Sequence, residues 1–321
     1  MGLLSVPDRM HRTRTTIVVA ILAALALCAP ASANYRVGLS EQNAAVFSQP
    51  AWQQLKLKRV RYILAWDYAK DPGQKAEADA FLAAARAAKQ DVLLMFTARR
   101  GCWNGSKYSK SKACKAPSKS AYKKAVSNFR KSHTWIKTYA PWNEANHVSQ
   151  PIAKSPKKAA EYYTTLRSVC GSKCKVMAAD VLDQSTVKKW LQDFIRYSKN
   201  KGRIWGLHNY KDVNRRQSKG LTTVLKTVPG EVWLTETGGI TTFAPDFPTD
   251  AERAASATKY MFQLADRYDS KKKGYKSKLT RLYVYRWFGE TGNWDSGLVN
   301  VDGSPRPALE QFQKYAKRRL K

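Results

Sequence analysis

Eight short β-rich runs recur along the chain, each followed by a longer stretch, and that alternation limits the possible folds more than any other feature. The runs are "YRVGL" (35–39), "RVRYILAW" (59–66), "DVLLMFTA" (91–98), "TWIKTYAPW" (134–142), "KVMAADVL" (175–182), "RIWGLHNY" (203–210), "EVWLTETG" (231–238) and "LTRLYVYRWF" (279–288). Among the stretches between them, "AEADAFLAAARAAK" (76–89) has strong helix formers and one apolar face. Further helices are expected near Ser118, Ser155, Ser185 and Thr249, where a side-chain oxygen can cap the first turn. The last helix should begin at about Pro307. No Pro/Ser/Gly-rich linker divides the chain, so the pattern predicts one (β/α)8 TIM barrel, an α/β fold in a single domain. A doubly wound sheet would announce itself by a glycine-rich first turn, and "YRVGLSEQNAA" lacks that fingerprint.

The ends and the cysteines bear on where such a barrel works. Residues 1–33 read as a secretory signal: Arg9, Arg12 and Arg14, then an apolar core from Ile17 to Ala29, then "ASA" at 31–33. The domain is therefore expected to span 34–321, in a secreted, extracellular protein with no membrane span after signal removal. Beyond the signal lie Cys102, Cys114, Cys170 and Cys174. In an oxidising compartment two local disulfides, Cys102–Cys114 and Cys170–Cys174, are the simplest pairing. A zinc site is the rival, but "CGSKC" has no His or Cys partner nearby at finger spacing. The full chain carries +33; residues 1–33 hold three Arg and one Asp, which leaves +31. Such a balance favours polyanions, whether an acidic polysaccharide, a wall polymer, nucleic acid or an anionic membrane. It equally serves solubility or electrostatic attachment to an acidic cell wall.

Two carboxylates stand out because each ends an apolar, aromatic run, where a charge is costly unless it is paired or used. They are Glu144 in "YAPWNEANH" and Glu236 in "EVWLTETGG". In a (β/α)8 barrel, working residues project from the C-terminal ends of strands, and these two fall at the fourth and seventh. Two carboxyls across one cleft suit glycosidic bond cleavage. One protonates the leaving oxygen, and the other attacks the anomeric carbon or activates a water, according to their separation. Read separately, Glu144 could cap the following helix and Glu236 could pair with an Arg.

"PWNEANH" and "VWLTETGG" resemble the clan A glycoside hydrolases, which place an Asn-Glu at the end of strand four and a Glu at the end of strand seven. "GLHNY" on strand six looks like the His-x-Tyr element of several families in the clan, and "YRWF" on strand eight like its aromatic platform. The closing "GLVNVDGSPRPALEQF" resembles families around family 39 and the Asl1-like glycosidases. The resemblance implies Glu144 as acid/base, Glu236 as nucleophile and Asn143 as a partner of the sugar 2-hydroxyl. It further implies Tyr210 as a hydrogen-bond partner of Glu236, His208 in the same cleft and Trp287 stacked on a sugar, with no cofactor or metal. Where some families carry an Arg at the end of strand two and a His at the end of strand three, this chain offers Trp66-Asp67 and Arg99-Arg100. Trp66, Asp67 and Arg99 are therefore expected to bind substrate in their stead.

The third βα loop, "ARRGCWNGSKYSKSKACKAP", is long and tied by two cysteines, and should bring Arg99, Arg100, Trp103 and Tyr108 to the rim beside Glu144. Its cations and aromatics suit an anionic glycan, or attachment to an acidic wall. The expected function is a secreted, retaining, endo-acting glycosidase acting on a polysaccharide. The rivals are a non-catalytic carbohydrate- or wall-binding barrel and a nucleic-acid-binding protein. The last lacks a localised patch or stacking motif in the sequence.

Overall fold

The computed structural model of the chain describes residues 1–2 and 34–319, so residues 3–33 of the predicted signal lie outside the described residues. Asn34–Lys321 form one compact unit. Its main sheet holds eight strands, β1 (Arg36–Ser40), β2 (Arg59–Ala65), β3 (Asp91–Thr97), β4 (Thr138–Ala140), β5 (in two pieces, Lys175–Val176 and Asp180–Leu182), β6 (Ile204–His208), β7 (Gly230–Thr237) and β8 (Ser277–Tyr285). All pairings are parallel. The two pieces of β5 pair with β4 and β6 respectively, and Met177 and Ala178 bond to Tyr139 and Ile204 between them. Strand β8 pairs with both β1 and β7, which closes the ring. The fold is the expected single-domain (β/α)8 barrel.

Helices follow the strands in order: α1 (Pro50–Leu55), α2 (Pro72–Ala87), α3 (Lys119–Ser132), α4 (Pro156–Cys170), α5 (Val187–Tyr197), α6 (Tyr210–Asn214), α7 (Lys219–Thr227), α8 (Ala251–Tyr268) and α9 (Pro307–Ala316). Ser118 and Ser155 cap α3 and α4 as expected, each accepting from the backbone N–H three residues on. The caps of the fifth and eighth helices fall one residue later than expected, at Thr186 and Asp250. Helices α1, α6 and α7 are short and were not among those expected. None of the described helices is long and apolar enough to cross a membrane.

Strand alternation sorts side chains between barrel interior and helix layer. On β2, Tyr62 points outward and stacks on Phe81 of α2 at 4.2 Å, while Arg61 points inward. Below the C-terminal ends of the strands, Leu93, Met95, Ala140, Met177, Trp233 and Tyr283 fill the interior. This plug shields the groups above it from water on one side, which strengthens every charge interaction there. Both expected disulfides form, Cys102–Cys114 across the third βα loop and Cys170–Cys174 at the end of α4.

Candidate active site

Arg61 occupies the centre of the barrel mouth and is fully buried. Its Nη1 donates to Glu236 Oε1 at 2.7 Å and to Ser40 Oγ at 2.8 Å; its Nη2 donates to Asn143 Oδ1 and lies 3.9 Å from Asp180. Burial by itself would strip the guanidinium of its proton more easily. The carboxylates of Glu236 and Asp180 reverse that and bind the proton more tightly.

Glu236 is held on three sides. Besides Arg61, the Tyr210 hydroxyl donates to its Oε2 at 3.2 Å, and His208 Nδ1 lies 3.3 Å from the same oxygen. A backbone irregularity aims it. Trp233 and Thr235 both point into the barrel, so strict alternation would send Glu236 outward to the helices. The register with β6 slips by one residue between Leu207 and His208, and the pairing with β8 slips over the same stretch. This bulge turns Glu236 into the cleft.

Glu144 follows β4 and is half-buried, with φ at +44°, a left-handed conformation that costs energy for a residue with a side chain. Its N–H donates to Asp180 Oδ2 at 3.1 Å and its carbonyl accepts from His147 at 2.8 Å, which fixes that turn. His208 Nδ1 lies 3.0 Å from Glu144 Oε1, and its Nε2 lies 2.9 Å from Asp180 Oδ2. Both ring nitrogens therefore face carboxylates, and only the doubly protonated imidazolium satisfies both. Burial pushes the imidazolium toward losing its proton, but Asp180, Glu236 and Glu144 outweigh it and raise the pKa to about 10. Conversely, burial favours a neutral Glu144, yet the hydrogen bond and charge of His208, with His147 beside it, bring its pKa below the ordinary value. Asp180 is likewise buried, and is held low by His208, Arg61 and the Thr235 hydroxyl. Gly206 makes room for this: a Cβ there would lie 2.1 Å from Asp180 Oδ1.

Oxygens of Glu144 and Glu236 come within 4.8 Å of each other, with His208 in the same cluster. These three could supply donor atoms to a metal. Their existing balance, Arg61 and His208 against the carboxylates, already neutralises most of the charge a cation would need.

The structure thus brings Glu144, Glu236, Asn143, His208 and Tyr210 together. It adds Arg61 to them, with Asp180 of β5 beside that guanidinium. The cation expected from Arg99 at the end of strand three comes instead from Arg61 within strand two. Asn143 has its oxygen engaged by Arg61, so its amide N–H groups are what it can offer a ligand.

Trp66, Asp67 and Arg99 stand apart from the glutamates. Asp67 pairs with Arg99 at 3.1 Å on the rim, and Trp66 walls a separate groove. Trp287 is also elsewhere: it is 1% exposed and meets Trp52 edge to face at 6.0 Å, so its indole packs β8 against α1 and has no open face for a sugar. Tyr285, two residues earlier, is half-buried, and burial and the charge of Glu236 push its phenol up to about 12. The inward alternation of Arg281, Tyr283 and Tyr285 was the signal for it. Trp294 lies 4.9 Å from Tyr210, ring to ring, and Trp103 of the third loop lies 6.1 Å from His147. These aromatic side chains line the approach to the carboxylates.

A (β/α)8 barrel with paired glutamates at the ends of strands four and seven defines a class, the glycosidases of this architecture. The model of the glycosyl hydrolase catalytic core family matches residues 104–312, and the chain belongs to that family. Among solved structures it is similar to a family 39 glycoside hydrolase from the gut symbiont Bacteroides cellulosilyticus WH2, at TM-score 0.59 and 14% identity over 89% of this chain. The chain spans 64% of that enzyme's length. It is also similar to GH5_18 from Streptomyces cattleya in complex with GlcNAc (TM-score 0.61, 13% identity, 90% of this chain and 81% of that one). A GH53 catalytic domain from Ignisphaera aggregans gives TM-score 0.61 at 14% identity, covering 87% of this chain and 95% of that one. At such identities the likeness is one of fold. Among curated proteins no sequence matches significantly.

Proposed function

We propose that this protein is an exported, retaining glycosidase acting on a polysaccharide, with Glu236 as nucleophile and Glu144 as acid/base. The observation that carries this reading is the asymmetry between the two carboxylates. Glu236 is tied to a buried guanidinium and a phenol, which hold it in one orientation. The Glu144 side chain is partly exposed, so a proton can reach it from solvent, and its side-chain partners among the described residues are the imidazoles of His208 and His147. Their approach within 4.8 Å is in keeping with the separation of about 5 Å that accompanies retention, and well short of the roughly 6.5–9.5 Å of inversion.

In this mechanism Glu144 gives its proton to the leaving oxygen while Glu236 attacks the anomeric carbon. Water, deprotonated by the same Glu144, then releases the sugar. Asn143 presents its amide to a sugar hydroxyl, and Tyr285 and Trp294 give apolar faces to the ring. Export is supported by the charged, apolar and small-residue pattern of residues 1–33 and by two disulfides. NMR of the first-formed product from a responsive polysaccharide should show the anomeric configuration kept. An inverted first product would remove Glu236 from the nucleophile's role.

A further inference from the structure

A groove of about 430 Å³ lies between the loop after β2 and helix α3, away from the paired glutamates, neither of which lines it. Its size is that of an ordinary ligand site, which spans about 300–1,000 Å³. Trp66, Tyr68 and Phe129 supply its apolar walls, and Lys70, Lys75 and Lys124 its cations. The Lys70 ammonium stands 5.2 Å from the centroid of the Trp66 ring, so a charge and an apolar plate sit side by side. Lys75 is engaged by Asp79, whereas Lys124 is exposed and has no carboxylate partner among the described residues. Asp67, the acid in the lining, is already neutralised by Arg99.

The side of the groove formed by α3 has the same sign. From Arg99 to Ser132 the chain holds eleven Lys and Arg and no Asp or Glu, and every lysine among them is exposed. This segment is the disulfide-tied loop and the helix that forms one wall of the groove. A second hollow of about 370 Å³ on the loop is lined by Tyr108, Lys107 and Lys110. Asp67 of the groove pairs with Arg99, two residues before Gly101 of the hollow, which sets the two close together. A cationic rim round aromatic walls is complementary to an acidic sugar chain: carboxylates pair with ammonium groups while pyranose C–H faces lie on rings.

We propose that this groove is a second, non-catalytic binding site for an acidic glycan, a uronate-bearing strand that it holds beside the catalytic mouth. The choice of a glycan rests on the glycoside hydrolase reading. It is favoured over nucleic acid because the groove begins at Trp66, directly after β2, at the same strand-end rim of the barrel as the paired glutamates.

Binding to polygalacturonate is measured by affinity electrophoresis at low salt, with dextran as the neutral control. All proteins carry Glu236→Gln, so binding is read without turnover and independently of whether the hydrolase mechanism is right. The parent should be retarded by polygalacturonate and not by dextran. Lys70→Glu with Lys124→Glu should weaken binding about tenfold or more. Lys271→Glu with Lys273→Glu makes the same charge change on a distant exposed loop and should weaken it far less. Trp66→Ala, which changes no charge, should also weaken it. Thermal unfolding checks that each variant is folded. No retardation of the parent, equal losses in the two charge-swap variants, or unchanged binding by Trp66→Ala would each overturn the groove as a site. Displacement of polygalacturonate by a single-stranded oligonucleotide of equal charge, at much lower concentration and through the same residues, would overturn the choice of partner.

Discussion

Glu144 and Glu236 differ in what surrounds them, so their loss should differ in kind. Glu236→Ala should abolish turnover on every substrate, and azide should restore some activity by attacking from the vacated side, giving a glycosyl azide of inverted configuration. Glu144→Ala should damage substrates with poor leaving groups by about 10²–10⁴-fold, the usual worth of acid–base assistance, and spare activated aryl glycosides. Equal damage on both substrate types would argue against the acid/base role. His208 sets the pH range of this chemistry. As a cation it holds Glu144 below the ordinary carboxylate range, and catalysis needs Glu144 protonated, so kcat/KM should fall as pH rises from the acid side. His208→Gln removes the cation, lets the Glu144 pKa rise, and should move that alkaline limb to higher pH. A limb that stays put would leave His208 a packing residue. Arg61→Met should cost more than any of these in stability, about 3–5 kcal/mol, because it leaves Glu236 and Asp180 buried beside no guanidinium. Chemical denaturation of the two proteins measures that difference.

At the level of elements, what was legible in the sequence is what depends on local pattern. The eight strands and the longer helices carry apolar runs and caps that report themselves, and the two glutamates lie at strand ends where a charge is conspicuous. What was hidden depends on contacts across the barrel. Arg61 sits in "RVRYILAW", where the apolar residues at 60, 62 and 64 pack outward and the Arg takes the inward face; its role became visible only with partners from β1, β4 and β7 around it. The inward turn of Glu236 depends on a bulge that no composition announces. Trp287 was misplaced for the same reason: proximity to the strand end does not say which way a side chain faces. Arg99 and Asp67 satisfied each other across two loops, which sequence separation conceals. The third loop reaches the site through Trp103 at His147, and its disulfide closes a separation of 12 residues. Replacing Cys102 and Cys114 by Ser should therefore cost roughly 3 kcal/mol in the chain-entropy model and raise KM more than it lowers kcat. The Cys170–Cys174 bridge closes a separation of only 4 and is remote from this loop, so its removal should leave KM unchanged. Steady-state kinetics of the two double variants separates these outcomes.

For the whole molecule, the titrating groups inside the barrel make stability depend on pH in a direction that can be worked out. Glu144 and Asp180 are lower in the folded protein than in the unfolded chain, so their contribution is present above the ordinary carboxylate range and is lost as pH falls through their folded values. Loss of carboxylate charge also adds to a net charge already at +31 beyond residue 33, which makes the acid side steeper. Among the groups that act in the opposite sense are Asp183 and His208. Asp183 is raised to about 7 by burial and by Asp212 beside it, so the folded state holds that proton more tightly than the unfolded chain, and stability falls as pH rises from about 4 to about 7. His208, raised to about 10 against an ordinary value of about 6.5, contributes fully below the latter and loses that contribution as pH climbs to the former. The melting temperature should therefore peak on the acid side of neutrality and decline in two stages. Asp183→Asn should flatten the first stage and leave the second. His208→Gln should remove the second and leave the first, at a lower melting temperature throughout, since Glu144, Glu236 and Asp180 lose their shared cation. Thermal unfolding from pH 4 to 10 on the three proteins decides it. A melting temperature that climbs steadily from pH 5 to 9 in the unaltered protein would mean that the buried imidazolium and the Asp183–Asp212 pair are not held as their surroundings imply.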